Sequence, residues 1–551
     1  MTNPPQNSPD KPGEFVPPDP PVTTKRPPSS APPPPRRPYG PPAPPPTKLG
    51  KAIAGWKHPA LPMPPALAVG AVIAGLIGAI TLGPTLSSGR VGVGVLISAA
   101  AVAYMSGVSV WSAGRLTRPA KTGTARFNRT WLTFVPLALC LSAIPAVRDA
   151  EWVVLPALLL AMAMGSYAAS GGRSWVEVIG GGVAILPATF LMLPWAGRGA
   201  YRTMSSGRGT AWPIIRTGLI AVGLLAVFGA LFVGADAAFG TLASGLLPEV
   251  STSTVVAYGF TGIVILLLAA SAAFLGQAPP PLRMLNPDPA KPAGRWSWIV
   301  PIAALDLLFL MFCAIQARVF LADDKNELLR STGLTYAEYA RQGFFQLVVV
   351  TILVLAVVAA AMRYAPSADR RDRVTVRALL GLLCALTLVV VGVALRRLYL
   401  YEETFGWTRL RLWVHAFELW LGFVIVLVAA AGVVKGRVAW LPRAVAASGA
   451  VMMLALASIN PDGYIAEHNV ARYLETRKID VYYLRTLSAD AVPALDRLPE
   501  PRRTCALIEL AADLSDDEPS MSANLARAQA RRILTAKPID PTADCYPTYS
   551  F

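Results

Sequence analysis

Three ionisable residues stand where such residues are expensive. Asp306, His415 and Glu418 each fall inside an apolar run, and an ionisable group within a membrane-spanning segment is a functional hypothesis by default. His415 and Glu418 are three positions apart, so a helix puts them on one face. Joined with Asp306, they could carry a proton or ion path. The plainer alternative makes Asp306 a hydrogen-bonding strut between helices and bonds His415 and Glu418 to neighbouring loops. Asp323 and Asp324 form a second set. Adjacent acids in a polar interval could hold a divalent cation for a transferase acting on lipid-linked substrates, or could simply be solvated. Other chemistry is hard to write. With three histidines, His58, His415 and His468, no His-x-x-Glu-His site can be assembled, and the five cysteines form no Cys-x-x-Cys pair. Neither a Gly-x-x-x-x-Gly-Lys phosphate loop nor a Gly-x-Ser-x-Gly elbow occurs. No catalytic residue, metal or cofactor is expected.

The elements that would position these residues are membrane helices. The chain is 54% hydrophobic and 15% charged, against roughly 25% charged for soluble domains. Its mean hydropathy of +0.47 agrees. Apolar residues gather in runs of about twenty, enough to cross a hydrocarbon core of roughly 30 Å. The net charge of +17 is read as basic cytoplasmic loops meeting anionic lipid headgroups. No basic-aromatic module for nucleic acid is present, and no apolar signal segment follows Met1.

Residues 1–60 form a proline-rich tail, expected to be extended and disordered in the cytoplasm. Four apolar runs follow within residues 61–170: Pro65–Leu86, Val91–Trp111, Trp131–Val147 and Trp152–Ser170. The first carries Ala71 with Gly75 and Ala74 with Gly78, small residues suited to close helix contact. Residues 171–212 are awkward, since Val178–Pro194 is interrupted by Gly180, Gly181, Gly182 and Pro187. Within residues 213–459 the runs are Ile214–Gly234, Val255–Leu275, Trp298–Phe320, Phe344–Met362, Val376–Leu395, Trp413–Val434 and Trp440–Ile459.

The positive-inside rule decides whether Val178–Pro194 spans. If it does not, the inside loops hold Arg115–Arg129, Arg283–Arg295, Arg363–Arg373 and Lys435–Arg437, while Ala235–Thr254 outside has no Lys or Arg. If it does, the arginine cluster moves outside. The expectation is therefore about eleven spans in a bacterial plasma membrane. The N-terminus lies in the cytoplasm, the C-terminus outside it, and Val178–Pro194 is interfacial or re-entrant.

That topology gathers three polar stretches on the outer face. In Leu321–Arg341, Thr335 and Glu338 have capping-box spacing, with Leu334 and Tyr339 as a hydrophobic staple, so a helix should start at Tyr336. Arg341 closes this stretch. The second is Arg396–Arg411, with Tyr399, Tyr401, Glu402, Glu403, Trp407, Arg409 and Arg411. The third opens at Asn460, Pro461, Asp462 and Gly463, a strong turn signal, and runs on to Asn469 and Arg472. Tyr336, Tyr339, Tyr399, Tyr401, Trp407 and Trp413 suit an interfacial aromatic belt. Residues 460–551 should be a small helical domain, with helices over Arg502–Leu514 and Ala523–Leu534, the second capped by Ser522. Outside the cell Cys505 and Cys545 could pair, closing a loop of about forty residues worth roughly 3–4 kcal/mol in the chain-entropy model.

Thr332–Arg341 running into an apolar helix, Leu398–Tyr401 through Gly406–Arg411, and Asn460–Asp462 through His468 and Asn469 together resemble the bacterial membrane proteins of the domain-of-unknown-function 4153/4173 family. The likeness covers Pro194 to the start of the C-terminal tail. The resemblance implies a membrane location and fold, and no activity. The expected fold class is all-α: a polytopic helix bundle with a disordered tail and a small helical C-terminal domain. Its expected partners are the lipid bilayer, anionic lipids at the basic loops and a protein on the outer face. The expected role is a non-enzymatic envelope or sensory scaffold. An ion or proton pathway and a membrane-embedded transferase stand as alternatives.

Overall fold

The computed structural model describes residues 47–116, 129–206, 252–288, 294–321, 344–364, 369–433, 438–516 and 518–540, with isolated positions between 217 and 232 and residues 543 and 545. All secondary structure among them is helical. Ten described helices are long and apolar enough to cross a membrane, and the chain is an all-α polytopic membrane protein. The run Ile214–Gly234, expected as a further span, lies largely outside the described residues.

In chain order, α1 is Lys48–Ala54, α2 Pro65–Ser88, α3 Val93–Leu116, α4 Arg129–Ser142 and α5 Glu151–Ser170. Three shorter pieces follow: α6 Trp175–Val183, α7 Ile185–Leu191 and α8 Leu193–Ser206. Next come α9 Thr252–Gln277, α10 Arg295–Leu321, α11 Phe344–Tyr364, α12 Arg370–Phe405, α13 Arg409–Val433 and α14 Leu441–Ser458. The C-terminal unit holds α15 Pro461–Thr476, α16 Val481–Arg485, α17 Arg502–Leu514 and α18 Leu525–Ala536.

Three apolar cores organise these helices. One joins α2, α3 and α9 with α7. A second joins α10, α11, α12 and α13. The third joins α4, α5 and α14 to the C-terminal unit, so that unit shares its core with the membrane helices. In the first core small residues set the approach. Ala71, Ala74, Gly75 and Gly78 are buried on α2, and a Cβ at Gly78 would meet Ile265 of α9 at 2.5 Å.

The stretch from α6 to α8 is divided for identifiable reasons. Ser174 and Glu177 form a capping box at its start. At Ala184 a hydroxyl from α5 enters the helix ladder. Ser166 Oγ donates to Gly181 O at 2.6 Å and accepts from Ile185 N at 3.0 Å, the two groups an unbroken helix would pair with each other. Pro187 and Pro194 each remove a further donor. Pro187 was readable in sequence and the inserted serine was not; Gly180, Gly181 and Gly182, expected to break the run, lie within α6. None of the three pieces alone reaches the roughly twenty residues of a spanning helix.

Three expectations change. Lys48–Ala54, expected within the extended tail, is the helix α1, and Trp56 Nε1 beyond it donates to Ala278 O at 2.8 Å. The polar stretch Arg396–Arg411, expected beyond the span Val376–Leu395, is largely the end of α12. That helix has 36 residues and a length of about 54 Å, well beyond the bilayer core. It stops at Gly406, whose φ of +83° suits glycine, and where a Cβ would collide with Asn469 Oδ1. The helix near the C-terminus is capped by Asn524, whose side chain accepts from Arg527 N. Ser522 sits earlier, in a buried turn.

Two predictions follow from packing. Gly78→Leu should lower stability by about 1–3 kcal/mol through overpacking, and Ile265→Ala in the same chain should restore part of it; strictly additive losses in thermal unfolding would rule that contact out. Ser166→Ala leaves Gly181 O and Ile185 N without their partner and should cost about 1–3 kcal/mol, read in the same assay.

Candidate functional site

The C-terminal unit is attached through a buried carboxylate. After α14 the chain turns at Asn460, which takes a left-handed conformation with φ 55°. Pro461 opens α15 at a position where its missing N–H costs nothing, and this brings Asp462 into the first turn with no exposed surface. Its Oδ1 accepts from Trp152 Nε1 of α5 at 2.8 Å and Arg409 Nε of α13 at 3.0 Å. Its Oδ2 accepts from Arg409 Nη2 at 2.6 Å and from Ser488 N at 2.8 Å. All four lone-pair positions are used. Arg409 N also donates to Tyr483 Oη at 2.7 Å, and burial pushes that phenol above its ordinary pKa despite this bond.

A second buried acid, Asp490, closes the seam against the turn between α4 and α5. Its Oδ2 accepts from Asp149 N at 2.7 Å, Ala150 N at 3.2 Å and Ser488 Oγ at 3.2 Å; its Oδ1 faces Arg148 at 3.4 Å. Burial raises the Asp490 carboxyl above its ordinary pKa, while the Asp149 N–H and Arg148 act in the opposite sense. Arg148 also caps α14, donating to Ala457 O and Ser458 O. Asp149 accepts from Arg527 and from Ala489 N. Arg527 in turn reaches Glu518 and the carbonyls of Val91 and Ser522. Farther out, Cys505 and Cys545 are joined by a disulfide with Cα atoms 5.4 Å apart.

The turn between α12 and α13 is read by α15. Asn469 accepts from Trp407 N at 3.1 Å and donates to Trp407 O at 2.9 Å. Arg472 donates to Thr404 O, and Arg411 donates to Gly406 O while lying over the Tyr401 ring at 4.2 Å. Beneath this turn His415 Nδ1 meets Glu402 Oε1 at 3.1 Å, and the His415 ring stacks on Trp407. One turn deeper, Glu418 Oε1 lies 3.1 Å from Thr351 Oγ1 of α11. The remaining oxygens, Glu402 Oε2 and Glu418 Oε2, are buried with no partner among the described residues.

The residues singled out in sequence therefore divide. Arg409, Arg411, Asn460, Asp462, Asn469, Arg472 and Tyr401 converge on this junction. Glu403 is exposed on the other side of α12, and the buried acid is its neighbour Glu402. Asp306 is buried in α10 near Cys384 of α12. No bond among the described residues joins it to His415 or Glu418, and both of its oxygens lack a described partner. Asp323, Asp324, Thr335, Tyr336, Glu338, Tyr339 and Arg341 lie outside the described residues. Sequence reasoning missed Trp152, Asp490 and Thr351, and it named Glu402 in its polar stretch without its burial or its partner. Of these, only Glu402 had a signal for burial. Cys384, Thr387, Val391, Ala394, Leu398 and Glu402 recur at helical spacing, an acid in line with a buried face.

Asp462→Ala would leave Arg409, Trp152 and Ser488 facing an empty acceptor. Breaking a buried pair costs about 3–5 kcal/mol. Arg409 is partly exposed, so a loss of about 2–4 kcal/mol is expected. Hydrogen exchange should rise across α15–α18 more than in α2 or α9; equal protection in both variants would deny Asp462 this role.

Residues 135–498 match a family described as "Domain of unknown function (DUF4153)". The matched stretch begins in α4, earlier than the sequence resemblance suggested, and it contains Trp152, Arg409, Asp462 and Asp490 together with their seam. It ends before α17 and the disulfide. No curated protein and no solved structure matches the chain. With more than half of its residues in the matched stretch, the chain belongs to the DUF4153 family.

Proposed function

We propose that this protein is a non-enzymatic scaffold of the bacterial cell membrane, presenting its C-terminal unit to a protein partner outside the cytoplasm. The observation that carries the reading is the Asp462 seam: one buried carboxylate takes donors from α5, α13 and the segment after α16. Such a seam holds the C-terminal helices as one body with the membrane helices, which a presenting surface needs. The Cys505–Cys545 bond supports an oxidising side for this unit. Arg370, Arg371 and Arg373 lie at the far end of α12, as cytoplasmic arginines facing anionic lipid would. In this topology the stretch from α6 to α8 is interfacial. A second reading, an ion or proton pathway, is favoured by Asp306, a buried acid with two oxygens lacking a described partner. The transferase alternative rests on Asp323 and Asp324 alone.

Two experiments test the scaffold. An impermeant maleimide applied to intact cells should label Cys505 and Cys545 only after reduction; labelling that requires lysis would place the unit inside and end this reading. A photo-crosslinker at exposed Leu474, Tyr482 or Leu525 should give a discrete protein adduct in living cells that weakens in Asp462→Ala. Lipid adducts alone at all three positions would count against a protein partner.

A further inference from the structure

Two buried carboxyl groups and one imidazole lie where α11, α12 and α13 pack beneath α15, Glu402 in contact with His415 and Glu418 one turn farther along α13. Glu402 and Glu418 are each 1% exposed, and each keeps one oxygen with no described partner. The space beside Glu418 is walled by Val348, Ala394, Leu395, Leu398 and Val414, and none of these side chains is a hydrogen-bond donor.

The hydrogen bonds admit more than one arrangement of protons. Thr351 Oγ1 has a single proton but two acceptors in reach, Leu347 O at 3.0 Å and Glu418 Oε1 at 3.1 Å. When the hydroxyl donates to Leu347 O, the contact with Glu418 is a hydrogen bond only if Glu418 brings the proton. When it donates to Glu418, the acid need hold none. His415 offers the same choice. With its Nδ1–H directed at Glu402 Oε1, its Nε2 keeps a lone pair that can accept a proton, and the imidazolium formed is paired with the carboxylate it already touches. The His415 side chain is 17% exposed while that of Glu402 is fully buried, so the imidazole is the group that solvent protons reach first. His415 and Glu418 are one turn apart on α13, close enough for a charge on one to act on the other.

We propose that Glu402, His415 and Glu418 form a proton-binding site, loaded and emptied from the end of the bundle that α15 covers. The site is placed to report its state. Trp407 stacks on His415 with ring centroids 5.7 Å apart and meets Tyr464 and His468 of α15 at 4.9 and 5.2 Å, while its backbone is held by Asn469. A proton arriving at His415 therefore changes the charge facing the contact between the α12–α13 turn and the C-terminal unit. Other polar groups around the site are Tyr464 and His468 on α15, Arg411 on α13, Tyr399 and Glu403 on the outer side of α12, and Thr351 on α11. Tyr464 feels Glu402 directly; burial and that carboxylate raise its pKa. The inference rests on these groups alone and stands whether or not the scaffold reading does.

The test uses the full chain in nanodiscs of one lipid composition, titrated between about pH 8.5 and 4.5. The signal is the fluorescence difference between the wild type and Trp407→Phe, recorded beside proton uptake measured with a dye in weak buffer. One transition with matching proton uptake is expected. Glu402→Gln keeps the shape and the hydrogen bond and should abolish the transition, as should His415→Gln. Glu418→Gln should shift its midpoint by about one pH unit, whereas His468→Gln should leave it in place. The proposal is overturned by a wild type without a transition, by a transition that survives both Glu402→Gln and His415→Gln, or by one that depends on His468 instead.

Discussion

A carboxylate sealed from water has to be met by donors, and Asp462 is met by donors from three separate stretches of chain. Its ligands come from α5, α13 and the segment leading to Asp490, residues more than three hundred positions apart in the first case. An ionised group in that position is tolerable only with its lone pairs filled, so its burial and the arrival of all three stretches are a single event. The turn at Asn460, the start of α15 and the seating of the C-terminal core on α4, α5 and α14 all depend on it.

The seam and the site under Trp407 use similar residues to opposite ends. At Asp462 every acceptor position is occupied, and an added proton would break bonds already made. At Glu402 and Glu418 acceptor positions are left over. A saturated network rigidifies; an unsaturated one in an apolar setting can change its proton content without losing its frame. α12 makes the second arrangement reachable. Because it runs about 54 Å, it carries Glu402 past the apolar zone to the level of α15, where His415 and Trp407 wait. A helix ending at Leu395, as the apolar run alone suggested, would have left Glu402 in a loop and His415 without its partner.

The three cores show where each stretch of sequence is constrained. In the α2–α9 contact small residues admit the neighbouring helix, since lipid gives helices no hydrophobic reason to associate. Around α10–α13 larger aliphatics dominate, with Asp306, Glu402 and Glu418 buried on the same helices. In the third core the membrane helices meet a water-facing unit, and arginines with aspartates hold the border.

Much of this is legible in the sequence. Runs of about twenty apolar residues specify spanning helices because backbone groups in lipid must be satisfied within the segment itself. The same locality made the Arg502–Leu514 helix and the interruption beside Pro187 readable. The polar motifs around Arg409, Asp462 and Asn469 could be recognised as belonging together, though not as bonded to one another. What only the tertiary structure decided is pairing at long range: Asp462 with Trp152, Asp490 with Arg148, Ser166 within the ladder of α6 and α7, Glu402 rather than Glu403 with His415. A hydrogen bond depends on where two helices cross and how each is rotated. Neither quantity is encoded near the residues concerned; both come from the packing of the whole chain.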